Sequence, residues 1–238
     1  MHRQFILFVG ACAVLLAVVL ISDRDGLVPQ LLLGATTAIF LVYFARRSQV
    51  DGRQIACAVI IATAGELVLS IGWGLYSYRH AVIPLYVFPG HGVFYLLAAE
   101  TALQPVVQRR ARTITLFVMT AGSLIAIVSV IAFGDTWGLL WWLAALTLLF
   151  RSRNAVLLSA CFTYTMLLEW AGTANGNWQW AEIVPYVGLR SANPPAGVGV
   201  LYIVLDVLVV LVSSRPGALT PRAEGLHETL GVGAREVA

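Results

Sequence analysis

Lysine is missing from this chain of 238 residues; all fifteen of its basic residues are arginines. The bias is that of a GC-rich coding sequence, not of a chemical need. Charge of either sign is scarce, at 11% of residues, where a soluble domain carries roughly 25%. Only three cysteines occur, Cys12, Cys57 and Cys161, each inside an apolar run. That placement speaks for small buried hydrophobes and against a disulfide framework or a metal set. There is no GxSxG elbow, no P-loop and no GxGxxG after a strand. Basic residues form no long patch on an exposed element, which removes nucleic acid as a partner. No internal repeat is visible, so the inverted-repeat transporter pattern lacks support.

What is abundant is hydrophobic: 59% of the chain, in repeated runs of about 18 or more residues, the length that crosses a bilayer. The fold class expected is all-α, a polytopic membrane helix bundle of about eight transmembrane helices. They are placed near 5–22, 27–46, 54–78, 83–105, 112–133, 136–150, 154–171 and 197–214. His2 and Arg3 before the first run imitate a signal peptide. The run is too long for an h-region and no small-residue cleavage pattern follows, so it is kept as a membrane helix. One domain, 1–214, is expected, followed by a polar tail, 215–238, read as a disordered cytoplasmic end.

Arginines alternate along the chain. Arg46, Arg47 and Arg53, then Arg109, Arg110 and Arg112, then Arg151 and Arg153 fill the even-numbered loops; Arg3 precedes the first helix and Arg215 and Arg222 follow the last. The odd-numbered loops hold only Arg24, Arg79 and Arg190. The positive-inside rule then puts both termini in the cytoplasm, in a bacterial inner membrane. The stretch from Gly172 to Ala196 faces outward. A connection this long is usually functional or disordered. Trp178, Trp180, Ile183, Val184, Tyr186 and Val187 are apolar enough to pack, which favours a lid over the bundle mouth; an aromatic belt that merely anchors the chain is the alternative.

Ionisable groups inside a bilayer are costly and mark interior functional positions. Glu66 lies midway along the third run, with Ser70, Trp73 and Ser77 on the same helical face and Tyr76 close by. Small Gly65, Gly72 and Gly74 would let a neighbour or substrate approach. Asp206 lies midway along the last run, one turn from Tyr202. Glu169 sits near the outer end of the seventh. His91 follows Pro89 and Gly90, expected to kink the fourth helix, and Tyr95 is one turn on. Glu66, Asp206 and Glu169 are the catalytic candidates. His91, Trp73, Tyr76, Tyr95, Trp178, Trp180, Asn193 and Tyr202 are the substrate-binding candidates, with Glu66 and Asp206 meeting in one pocket.

Such a set supports three chemistries. A carboxylic acid in apolar surroundings can protonate an alkene or epoxide, while a second carboxylate and aromatic faces stabilise the cation. Mixed His and carboxylate ligands suit zinc or iron, but no HxxxH or ExxH spacing occurs among these residues, and no metal or cofactor is expected. Protonatable acids at the midplane can couple proton movement to solute transport. Helix pairing alone is a further alternative.

The segment EWAGTANGNWQW, Glu169 to Trp180, resembles the Glu-x-x-Gly-Thr-x-x-Gly pattern followed by aromatics in the membrane-bound carotenoid hydratases, which add water to isoprenoid double bonds. After Trp180 the pattern departs, where NPPAG stands. The placement of Glu66 and Asp206 is similar to that in small membrane terpene cyclases of meroterpenoid and indole-diterpene pathways. That resemblance implies Glu66 as proton donor and Asp206 as its partner. Both imply acid chemistry on an isoprenoid, a hydrophobic small-molecule partner held within the lipid bilayer.

Overall fold

A computed structural model describes residues 2–152 and 154–213. The described chain is mostly helical, with one two-stranded ribbon and a long connection, 181–199, before the last helix. In order it forms α1 (His2–Ser22), α2 (Leu27–Ala45), α3 (Gly52–Glu66) continued by a π-helical segment (Leu67–Gly72), β1 (Tyr76–Tyr78), α4 (Val87–Ala102), α5 (Pro105–Arg109), α6 (Ala111–Phe133), α7 (Thr136–Arg151), α8 (Ala155–Ala174), β2 (Trp178–Trp180) and α9 (Val200–Ser213). The expected tail, 215–238, lies outside the described residues.

Five of these helical stretches are long and apolar enough to cross a membrane: Arg3–Ser22, Leu27–Ala45, Gly52–Gly72, Ala111–Phe133 and Ala155–Ala174. The expected count of about eight is not reached. With 16 residues each, α4 and α7 rise about 24 Å at 1.5 Å per residue, short of the ~30 Å hydrocarbon core. The outward faces of the long helices are apolar. Leu7, Ile21, Leu32, Ile39, Phe117 and Ile131 are all exposed, the surface of a protein embedded in lipid rather than water.

At the centre stands α4. It packs on α1, α2, α3 and α8 and is buried nearly all round, His91, Tyr95, Leu96, Ala98 and Ala99 included. A helix apolar on every face belongs inside, and its alanines let neighbours close in. Two cores flank it. One gathers Phe8, Ile55, Ala58, Leu96 and Val209; the other joins Trp142, Phe162, Leu75, Trp178 and Trp180. Where α6 crosses α7, Gly122 faces the Trp142 ring so closely that an added Cβ would lie 2.3 Å from it. Gly122→Ala is expected to cost about 1–3 kcal/mol by overpacking, read as a lower unfolding midpoint in detergent.

Helix ends follow local chemistry. The α6–α7 turn falls within a residue of its expected position, because Gly134 adopts a left-handed conformation, φ 69°, and Asp135 caps α7 through the Gly138 amide. The third helix departs from expectation. It leaves α geometry after Glu66, and Gly74, at φ +75°, turns the chain into β1 instead of continuing helix to 78. Gly65 and Gly74 face open space, so they admit no close neighbour; at Gly74 it is the positive φ that requires glycine. Nor does Pro89 kink a helix. α4 begins at Val87, leaving Pro89 in the first turn, where a missing N–H costs nothing.

Candidate functional site

Two three-residue strands organise the site. β1 reads Tyr-Ser-Tyr and β2 Trp-Gln-Trp, paired antiparallel as Tyr76↔Trp180, Ser77↔Gln179 and Tyr78↔Trp178. The two-residue period of a strand puts all four rings on one face; they are buried, while Ser77 and Gln179 are exposed. Each buried ring carries one polar hydrogen, and a buried donor needs an acceptor.

Two carboxylates supply the acceptors. The Tyr76 and Tyr78 hydroxyls each donate to Glu66 Oε2 at 2.8 Å. The Trp178 and Trp180 indoles donate to Glu169 Oε2 at 2.8 and 2.9 Å. Burial, reinforced by Glu66, pushes both phenols above their ordinary range, so they remain protonated donors. Gly172, one turn after Glu169, makes this possible. A Cβ there would lie 2.0 Å from the Trp178 ring, so only glycine lets the indole cross α8 to reach the acid. Glu66 sits where α3 turns into the π-helical segment, a distortion frequent at functional sites. Its other oxygen, Oε1, faces His91 Nε2 at 3.2 Å, off the line of a hydrogen bond. His91 Nδ1 lies 2.8 Å from the Tyr202 hydroxyl.

These groups line one cavity of about 310 Å³. Glu66, His91, Glu169, Tyr202, Tyr76 and Trp178 stand on its wall among residues of α1, α4, α8 and α9 that are otherwise apolar. The volume is at the lower end of ligand sites. α1 packs on α2 and α4 without broad contact with α8. Ala13 of α1 and Leu167 of α8 both line the cavity and are exposed on the outer surface, so the chamber opens sideways between these helices.

Beside the ribbon a polar knot shares Tyr86 with the cavity wall. Buried Asp23 accepts from Gln30 Nε2 at 2.7 Å, Asn177 Nδ2 at 3.1 Å and the Tyr86 hydroxyl at 3.2 Å. Arg79 donates to the Gly176 carbonyl at 2.9 Å and also reaches that of Asn175. A second knot holds the long connection after β2. Asp135, fully buried, accepts from Ser129 Oγ and the Ala196 amide at 2.8 Å, from Gly138 N at 2.9 Å and from Ala192 N at 3.0 Å. Val184, Ala196 and Val198 are buried beneath that connection, while Ile183, Tyr186 and Val187 stay exposed.

Several sequence candidates converge, and four do not. Glu66, Glu169, His91, Tyr76, Trp178, Trp180 and Tyr202 share the cavity. Asp206 is buried but absent from its lining; its carboxylate instead meets the Cys161 thiol across the α8–α9 contact. The expected pocket between Glu66 and Asp206 is therefore not formed: Glu169 is the second acid of the chamber. Trp73 donates to the Pro185 carbonyl at 2.9 Å and stacks edge-on with Trp137. Tyr95 donates to Gln54 at 3.3 Å in the other core. Asn193 Oδ1 accepts from the Trp180 amide at 3.0 Å, so it positions β2 rather than facing the chamber. Missed from sequence were Tyr78, Asp23 and Asp135. For Tyr78 a signal existed, since Y-x-Y after a glycine pair mirrors W-x-W at strand period.

Fold and site together define a membrane-embedded helical protein with an apolar, two-acid chamber. Comparison of the chain with protein-family models, curated proteins and solved structures finds no match.

Proposed function

We propose that this chain is an integral membrane enzyme of the bacterial inner membrane, acting on a hydrophobic, isoprenoid-like substrate by carboxylate general-acid chemistry of the cyclase or hydratase type. One observation carries the reading: Glu169 has both indoles on Oε2, leaving Oε1 with no partner among the described residues and a place on the wall of an apolar chamber. An acid proton on Oε1 has only a bound ligand to go to. It passes to an alkene carbon or an epoxide oxygen, and the indole N–H groups steady the carboxylate left behind. Glu66 and the rings of Tyr76 and Trp180, on the same cavity wall, would stabilise the resulting carbocation. The cation is discharged by losing a proton to Glu66, or by capture of water whose extra proton then passes to Glu66. The sideways opening fits a substrate that keeps its tail in lipid. In this reading Asp206 serves helix pairing.

The topology proposed is eight crossings, with α4, α7 and α9 as short ones spanning within a bundle that thins the bilayer locally. The arginine-rich turns then lie in the cytoplasm with both termini, and the ribbon faces outward.

The test incubates purified protein with acyclic polyenes and their terminal epoxides and looks for isomeric or hydrated products by mass spectrometry. Product formed by the native chain and absent with Glu66→Gln and Glu169→Gln is the expected result. No product, together with pH-dependent solute uptake into proteoliposomes that requires Glu66, would replace the enzyme by a proton-coupled transporter.

A further inference from the structure

The chamber has more capacity for negative charge than it has basic partners. Glu66 has His91 beside it at 3.2 Å. Glu169 has none: among the described residues the ion pairs are His80–Asp23, His91–Glu66 and Arg190–Glu182. A buried carboxylate without a counter-charge is costly and is stable only neutral or paired. His91 Nε2, buried and without a hydrogen bond, faces Glu66 Oε1. Glu169 is thus the acid of the chamber that waits on a missing neighbour.

The wall decides what that neighbour is. Tyr76 and Trp180 pack tilted with centroids 4.6 Å apart, Tyr78 and Trp178 edge-on at 6.1 Å, and Tyr86 and Phe94 extend the aromatic surface. Ring faces attract cations, most strongly when both are desolvated. A bare ammonium would want three acceptors, and these walls present few. An alkylated cation has no such demand and gains from every ring. Toward Ala13 and Leu167 the lining is aliphatic and open to lipid.

We propose that the chamber binds lipophilic cations, a peralkylated ammonium on a long apolar tail. The charged head lies between Glu66 and Glu169, and the tail leaves between α1 and α8. This rests on the reading that the Glu66–Glu169 cavity is the working site. It deepens that reading by naming a stable ligand with the charge of the proposed carbocation.

The experiment titrates full-length protein in a neutral maltoside detergent, by calorimetry, with three probes of equal chain length. One ends in trimethylammonium, one in the neutral isostere tert-butyl and one in sulfate. The cation is expected to bind saturably and about tenfold or more tighter than the isostere, with no saturable binding of the sulfate. That preference should vanish in Glu169→Gln, whose amide oxygen can still accept both indoles, and persist in Glu182→Gln on the exposed loop. If Glu169→Gln does not fold, the three-probe comparison on the native chain decides alone. Equal binding of cation and isostere would overturn the inference and leave the cavity reading standing. A preference that survives in folded Glu169→Gln would place the charge recognition elsewhere and overturn it too. Binding of none of the probes would remove the cavity as the working site.

Discussion

Glu169→Gln is expected to slow turnover by about 10²–10⁴-fold, the range a positioned proton donor contributes, while the protein still inserts and purifies as monodisperse material. Size is conserved, and the amide oxygen can occupy the Oε2 position, where it still accepts the Trp178 and Trp180 hydrogens seen at 2.8 and 2.9 Å. The scaffold therefore survives and only the acid proton on the cavity side is lost. Asp206→Asn provides the contrast. Its carboxylate meets Cys161 between α8 and α9 and is absent from the cavity lining, so it should lower the unfolding midpoint and leave turnover within about tenfold of native. Rates of the two purified variants on one substrate separate the roles. A dead Asp206→Asn beside an active Glu169→Gln would reverse the assignment of the second acid.

Asp135→Ala is expected to destabilise the protein by about 4 kcal/mol. Four hydrogen bonds converge on this side chain, three from the backbone amides of Gly138, Ala192 and Ala196. Removing the acceptor strands buried N–H groups, each costing roughly 1–3 kcal/mol. Asp135→Asn keeps one oxygen but turns an NH₂ toward donors, and should fall between. Unfolding midpoints in detergent give the order Asp, Asn, Ala. The loss should reach the ribbon, because the same connection carries Asn193, which accepts from the Trp180 amide at 3.0 Å. Emission from the buried tryptophans should shift to the red as the unfolding begins.

Much of this architecture can be read from residue order, since it rests on short-range rules. Gly134 and Asp135 stop one helix and start the next, and the apolar runs give α2 and α6 to within a residue and α1 and α8 to within three. Two features depend on partners distant in the chain. The end of α3 is hidden because Tyr76–Tyr78 continues a plausible helical face; only pairing with Trp178–Trp180, a hundred residues away, makes it a strand. The same pairing chooses between acids. Helical depth alone ranks Glu66 with Asp206. The indoles that hold Glu169, and the glycine at 172 that lets them, pull the site toward α8 instead. Glu169, Gly172, Trp178 and Trp180 all lie within one dozen-residue segment, so the chemistry of the acid was local even where its partner was not.

One consequence of the ribbon concerns coupling. β1 clasps Glu66 and β2 clasps Glu169, and the strands clasp each other. Each strand keeps its own acid, and the pairing between strands fixes the distance from one acid to the other. The two acids are thus yoked through four rings and one pair of strands, so a change at either strand is felt at both carboxylates.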